Sequence, residues 1–194
     1  MLILERLRVS DAELWQSCSV HALRLLHRFK ARDFAHFLDV FDRDVLDDEG
    51  EPVLLSMHKA DDVFFERVVG LLPMHVPKMT SPQVLRCLEV MVRRNIGSQR
   101  LFDHYILMMV EKHVLSYSIG LYSRMVRAMA DKGFVEDYVF WDKFAFRYIF
   151  YSPKAYDRQR SFTESEARDL WESFVYLKLK CPTLDVSHVV KHLE

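Results

Sequence analysis

Apolar residues recur along this chain at the spacing of one helical face. Leu14, Cys18, Ala22, Leu25 and Phe29 are separated by four, four, three and four positions, and Phe34, Phe37, Leu38, Phe41 and Val45 repeat the pattern, which predicts two amphipathic helices near the start. Ser10-Asp-Ala-Glu13 has the spacing of a capping box and places the first helix start at Ser10. Asp47-Asp-Glu-Gly-Glu-Pro52 concentrates charge and chain breakers, so residues 47–60 read as an exposed acidic connection. A helix over 61–72 follows, with Phe64, Val68, Leu71 and Leu72 on one face and Pro73 at its end.

Ser81-Pro82 predicts the next start, with serine as cap and proline at the first helical position. Val84, Leu88, Met91 and Val92 form its stripe, broken at Asn95-Ile-Gly97. Further helices are expected from Leu101 to Val110, Ser118 to Asp131 and Val139 to Tyr151. Thr163-Glu-Ser-Glu166 is a second capping box, opening a helix striped by Leu170, Trp171, Phe174, Val175 and Leu179. A short tail helix closes the chain.

Composition agrees with a helical fold. Five Gly and six Pro are too few for the tight turns of a β-sandwich or barrel. The 194 residues suffice for one well-buried core, and a single domain over 1–194 is the expectation. Three cysteines, Cys18, Cys87 and Cys181, lie far apart without a C-x-x-C, which favours a reducing compartment over a disulfide or zinc framework. Neither a membrane span nor a transit peptide is visible, and no membrane insertion is expected.

The net charge of −1 divides unevenly: residues 1–70 carry 9 basic and 14 acidic groups, residues 71–194 carry 18 and 14. The first part is therefore about −5 and the second about +4, a gradient able to orient the chain against a charged partner.

Internal similarity adds a longer period. Phe64-Phe-Glu-Arg-Val-Val69, Leu101-Phe-Asp-His-Tyr-Ile106 and Phe140-Trp-Asp-Lys-Phe-Ala145 begin 37 and 39 residues apart (101 − 64 and 140 − 101). Val84, Leu88 and Val92 correspond to Leu121, Met125 and Met129 at an offset of 37. Such a period accommodates two helices and two short connections, and stacking successive hairpins buries faces that a single hairpin leaves exposed. The expectation is all-α, an α-solenoid of antiparallel helical hairpins with about 8–9 helices, clearest over 61–151 and capped by helices within 161–194.

Leu121-Tyr-Ser-Arg-Met-Val-Arg-Ala-Met-Ala-Asp-Lys-Gly133 resembles the first helix of a pentatricopeptide repeat, and the longer period with Leu101-Phe102 resembles the heptatricopeptide (octotricopeptide-like) repeats of mitochondrial and plastid RNA-associated proteins. The resemblance implies a right-handed solenoid and a mitochondrial location. By the same resemblance the chain is expected to be a non-catalytic accessory or scaffold subunit of a mitochondrial ribonucleoprotein, the mitoribosome or an assembly or RNA-processing complex, docking through protein–protein contacts. Direct binding of single-stranded RNA is the alternative, and an accessory role in another large mitochondrial complex is a third. The family's base-reading position falls at Ser123 in one unit but at Arg86 in the preceding one, so a one-base-per-repeat code is not implied.

Candidate chemistry is sparse. The common nucleotide, hydrolase and zinc-protease motifs are missing, and neither enzyme activity, cofactor nor metal site is expected. His188 and His192 share a helical face without a neighbouring acid, and Cys87 sits among leucines as a core residue. Arg86, Arg93, Arg94, Arg100, Arg124 and Arg127, with Ser123, are the candidate phosphate- or RNA-contacting residues. Glu89, four residues before Arg93, is positioned to pair with it.

Overall fold

The computed structural model describes residues 7–101, 117–132 and 162–193, together with Leu4, His104, Trp141, Tyr148 and Ile149. The chain forms two compact units, Met1–Ile106 and Leu107–Glu194, where one domain over 1–194 is the sequence expectation. The main described elements are α1 (Ala12–Leu25), α2 (Ala31–Asp42), β1 (Val45–Leu46), β2 (Pro52–Leu54), α3 (Asp62–Leu71), α4 (Ser81–Arg93), α5 (Ile119–Lys132), α6 (Glu164–Lys180) and α7 (Ser187–Leu193), with short helical turns between some of them. The chain is therefore mostly helical, with one small two-stranded sheet.

The helix starts follow their caps. Asp11, rather than Ser10, caps α1, its carboxylate accepting from the Leu14 N–H at 3.1 Å. At α4 the cap is Thr80, one residue before the expected serine, and the Gln83 side chain reaches back to accept from the Thr80 N–H at 2.9 Å. Pro82 thus occupies the second helical position, where no backbone donor is needed. The Thr163 box forms as expected: its hydroxyl accepts from the Glu166 N–H at 3.3 Å and the Glu166 carboxylate from the Thr163 N–H at 3.0 Å. At its other end α4 closes through Asn95 at φ +51°, with the Ile96 N–H donating to the Met91 carbonyl at 3.0 Å. The expected Asn95-Ile-Gly97 break is this left-handed cap.

Two expected stripes are rotated about their helix axes. In α1 the buried face is Trp15, Ser19 and Ala22, continued by Leu26, while Leu14 and Leu25 are exposed. Trp15 decides the rotation, because its burial removes more apolar surface than any competing leucine. In α6 the buried residues are Leu170, Ser173, Phe174 and Leu177, which leaves Trp171 and Leu179 facing solvent.

The acidic connection is more ordered than an open loop. Asp47 holds the turn, its carboxylate accepting from the Glu49 and Glu51 N–H groups at 3.0 and 2.8 Å, and Gly50 supplies the φ of +90° that the turn requires. The flanking residues pair as antiparallel β1 and β2, with Val45 opposite Leu54 and both side chains buried. The register shifts between Val45 and Leu46, which sets Leu46 opposite Pro52, and Leu46 and Val53 are exposed.

In the first unit α1 packs against α3, and α2 against α4, so alternate helices are neighbours. An aromatic chain joins them: Trp15 meets Phe41 edge-on at 5.5 Å, Phe41 meets Phe64 at 4.6 Å, and Phe64 meets Phe65 at 5.2 Å. The Trp15 indole N–H donates to the Val9 carbonyl at 2.7 Å. Lys59 is fully buried here; its ammonium donates to the Val40 carbonyl at 3.0 Å and lies 4.2 Å from the centre of a Trp15 ring. The first repeat hexamer behaves as a packing motif, with Phe64, Phe65, Val68 and Val69 buried and Glu66 and Arg67 exposed. Leu101 and Trp141 in the other two are also buried and His104 is exposed, and the remainder of those hexamers lies outside the described residues. So does most of the expected helices over 101–110 and 139–151.

In the second unit α5 packs along α6, and α6 against α7. Tyr122 stacks on Tyr148 at 4.0 Å and Tyr148 donates to the Tyr117 carbonyl at 2.8 Å. Ser123, the expected base-reading position, is buried with these aromatics on α5, and its hydroxyl has no hydrogen-bond partner among the described residues.

Burial also sets the chemistry of Cys87, whose thiol is pushed up to about 12 from 9.0 by desolvation and by nearby Asp39. The folded state keeps this proton when the unfolded chain releases it, so this contribution to stability is full below pH 9.0 and is lost as the pH rises towards about 12. A thiol reagent at about pH 8 should label Cys18 and spare Cys87 until the protein is unfolded in urea, and native-state labelling of Cys87 at the rate of Cys18 would contradict this core placement.

Candidate functional site

The last turn of α2 ends in Asp42, and the last turn of α4 in Arg93 followed by Arg94. Arg93 donates from Nε to one carboxylate oxygen of Asp42 at 2.6 Å, and Arg94 from Nε to the other at 2.7 Å. The Asp42 side chain is 4% exposed. Arg94, itself largely buried, lies 3.9 Å over the Phe65 ring of α3 and 3.6 Å from Asp62. One carboxylate thereby joins α2, α3 and α4. Nearby, Asp44 accepts from the Ser56 N–H at 2.6 Å, which ties the end of the hairpin to the same corner. Asp42, Asp44, Asp62, Arg93, Arg94, Ser56 and Met57 line a cleft of about 410 Å³.

Two turns earlier on α4, Arg86 lies 4.0 Å from Asp39 of α2, and Asp39 also pairs with Arg43 at 2.8 Å. The three α4 arginines chosen from the sequence as phosphate contacts thus face carboxylates of their own unit. Arg93 finds its carboxylate across the unit in Asp42, where the sequence pointed to Glu89. The pairing was foreshadowed: Asp39 and Asp42 interrupt the apolar face of Phe34-Ala-His-Phe-Leu-Asp-Val-Phe-Asp42, and acids so placed need cations opposite them. Arg100 is exposed beyond α4.

The remaining candidates belong to the second unit. Arg124 and Arg127 are exposed on α5, and Arg127 pairs with Glu172 of α6 at 3.3 Å and donates to the Ser173 hydroxyl at 3.4 Å. Ser123 faces the core. The expected electropositive face is therefore divided between two units, and Arg86, Arg93, Arg94 and Arg127 of it have acidic partners at these distances. Among the described residues no three His, Cys, Asp or Glu side chains converge as a metal site, and no helix is long and apolar enough to cross a membrane.

Helical spacing alone does not reveal which apolar side chains stay outside. Trp171 is 37% exposed and Leu179 is 73% exposed, on one side of α6 with the half-buried Val175 between them at four-residue spacing. In the first unit Leu46, Val53, Leu55 and Met57 stand out on and beside the hairpin.

Family models, curated proteins and solved structures give no match to this chain.

Removing the Asp42 carboxylate leaves two guanidiniums packed without their shared anion. Asp42→Ala should cost about 3 kcal/mol in urea unfolding, whereas Asp48→Ala, at the exposed hairpin tip, should change stability by under about 0.5 kcal/mol. Equal small effects at the two positions would remove Asp42 from the centre of this network.

Proposed function

We propose that this chain is a non-catalytic docking module of a larger assembly, a helical scaffold whose outer faces bind other proteins. The observation that carries the reading is the Trp171, Val175, Leu179 row on α6, an apolar strip directed to solvent on a helix whose opposite face is already packed. Isolated exposed leucines are ordinary, but a tryptophan in register with a second large apolar residue is the composition of a protein interface core.

The packing of α1 on α3 and of α2 on α4 supports the solenoid form of this scaffold, since hairpins laid side by side place each helix beside its equivalent in the next repeat. We infer from the heptatricopeptide resemblance that the assembly is a mitochondrial ribonucleoprotein, such as the mitoribosome or one of its assembly or RNA-processing intermediates. Protein contacts are favoured over direct RNA contacts because Arg86, Arg93, Arg94 and Arg127 are already turned towards carboxylates.

Cross-linking followed by affinity recovery of the full chain distinguishes the two contacts. Protein partners should be recovered, and Trp171→Ala combined with Leu179→Ser should weaken their capture at least about tenfold while leaving the far-UV circular dichroism unchanged. Recovery of RNA alone, with affinity falling by about 0.7 log units per neutralised phosphate for each log unit of salt, would replace this reading with direct RNA binding.

A further inference from the structure

We propose that the outward face of the β1–β2 hairpin, together with the adjoining Asp44–Asp62 cleft, docks a basic amphipathic segment of a protein partner. The proposal rests on the docking reading above and adds to it a second surface and the chemistry of what covers it.

Val45 and Leu54 form the buried pair of the hairpin, while Leu46 and Val53, beside the register shift that sets Leu46 opposite Pro52, are exposed. Leu55, the residue that follows β2, is also exposed. Met57, 66% exposed, continues the apolar surface and is also a wall of the 410 Å³ cleft. Met57 thus belongs both to the exposed apolar residues of this segment and to the cleft wall.

The hairpin is predominantly acidic, while the cleft also holds Arg93 and Arg94, both turned to Asp42. Residues 42–66 contain nine carboxylates against Arg43 and Lys59, and Lys59 is fully buried. Asp47, Asp48, Glu49 and Glu51 crowd the hairpin tip, with Arg8 paired to Asp48. In the cleft, Asp42 is engaged by two arginines, while Asp62 is 82% exposed and open to a further cation. A phosphate polymer is repelled by this surface. A segment whose apolar side chains cover Leu46, Val53, Leu55 and Met57 while its Lys or Arg groups meet the carboxylates satisfies both features, and complementary charge would also speed its encounter.

The test uses the full chain and a synthetic amphipathic peptide of Leu and Lys, with a Leu and Glu peptide of the same pattern as control, measured by fluorescence anisotropy. The basic peptide should bind, the acidic one should not, and affinity should fall between about 50 and about 300 mM salt. Val53→Thr, Leu55→Gln and Met57→Gln together should weaken binding at least about tenfold, and Glu49→Lys with Glu51→Lys should weaken it several-fold, about threefold or more, at low salt. Asp47 is left intact because it holds the turn, and circular dichroism checks that each variant is folded. The Trp171→Ala, Leu179→Ser variant should bind the peptide like the parent chain. Equal binding of both peptides, or unchanged affinity in the triple variant, overturns the proposal. So does a self-associated state in sedimentation that the triple variant dissolves, because the occupant would then be a second copy. If the peptide fails while partner capture through Trp171 and Leu179 persists, the hairpin assignment falls and the docking function stands; the opposite pair of results removes the α6 surface and keeps the hairpin.

Discussion

The first unit depends on keeping one carboxylate out of water. Asp42 ends α2, where the helix's own carbonyls already make the local field unfavourable for a negative charge. Two guanidiniums from the end of α4 reverse that field, and α4's C-terminal dipole is in turn complemented by the same arginines. The carboxylate is satisfied only when the ends of α2 and α4 meet, and Phe65 of α3 then packs against one of the two cations. Apolar contacts such as Phe41 on Phe64 supply attraction without direction, whereas the two-pronged grip fixes which helix ends meet.

This arrangement changes what the arginines are for. A row of basic residues on one helix is, in sequence, an invitation to phosphate. In the fold the row at Arg86, Arg93 and Arg94 is opposed by Asp39 and Asp42, so its charge is spent on internal cohesion. The surface left exposed is apolar and acidic at the hairpin of the first unit and apolar along α6 in the second, which is what the proposed protein docking requires. Both are suited to proteins.

Much of the helical framework was legible in the sequence because it is written in local chemistry. The Thr163 and Glu166 box, the Asn95 terminus and the Pro73 stop each act within a few residues, and each appears where those residues stand. Rotation about the helix axis was less legible. In α1 two apolar stripes compete, one through Leu14 and Leu25 and one through Trp15 and Leu26, and only tertiary packing ranks them. The hairpin was hidden because its strands are two and three residues long inside an acidic stretch that reads as loop. The candidate arginines were read one helix at a time, so their partners about 45 to 50 residues away were invisible to helical spacing alone.

The burial of Lys59 reaches beyond packing. It is the only lysine or arginine between Arg43 and Arg67, and in the native fold its amine is turned inward beneath Trp15. An acetyltransferase or a ubiquitin ligase, which needs an accessible lysine, therefore meets no target between Arg43 and Arg67 while the unit stays folded. The stretch that presents the acidic face is chemically silent to lysine-directed modification, and it becomes addressable only when the aromatic core around Trp15 opens.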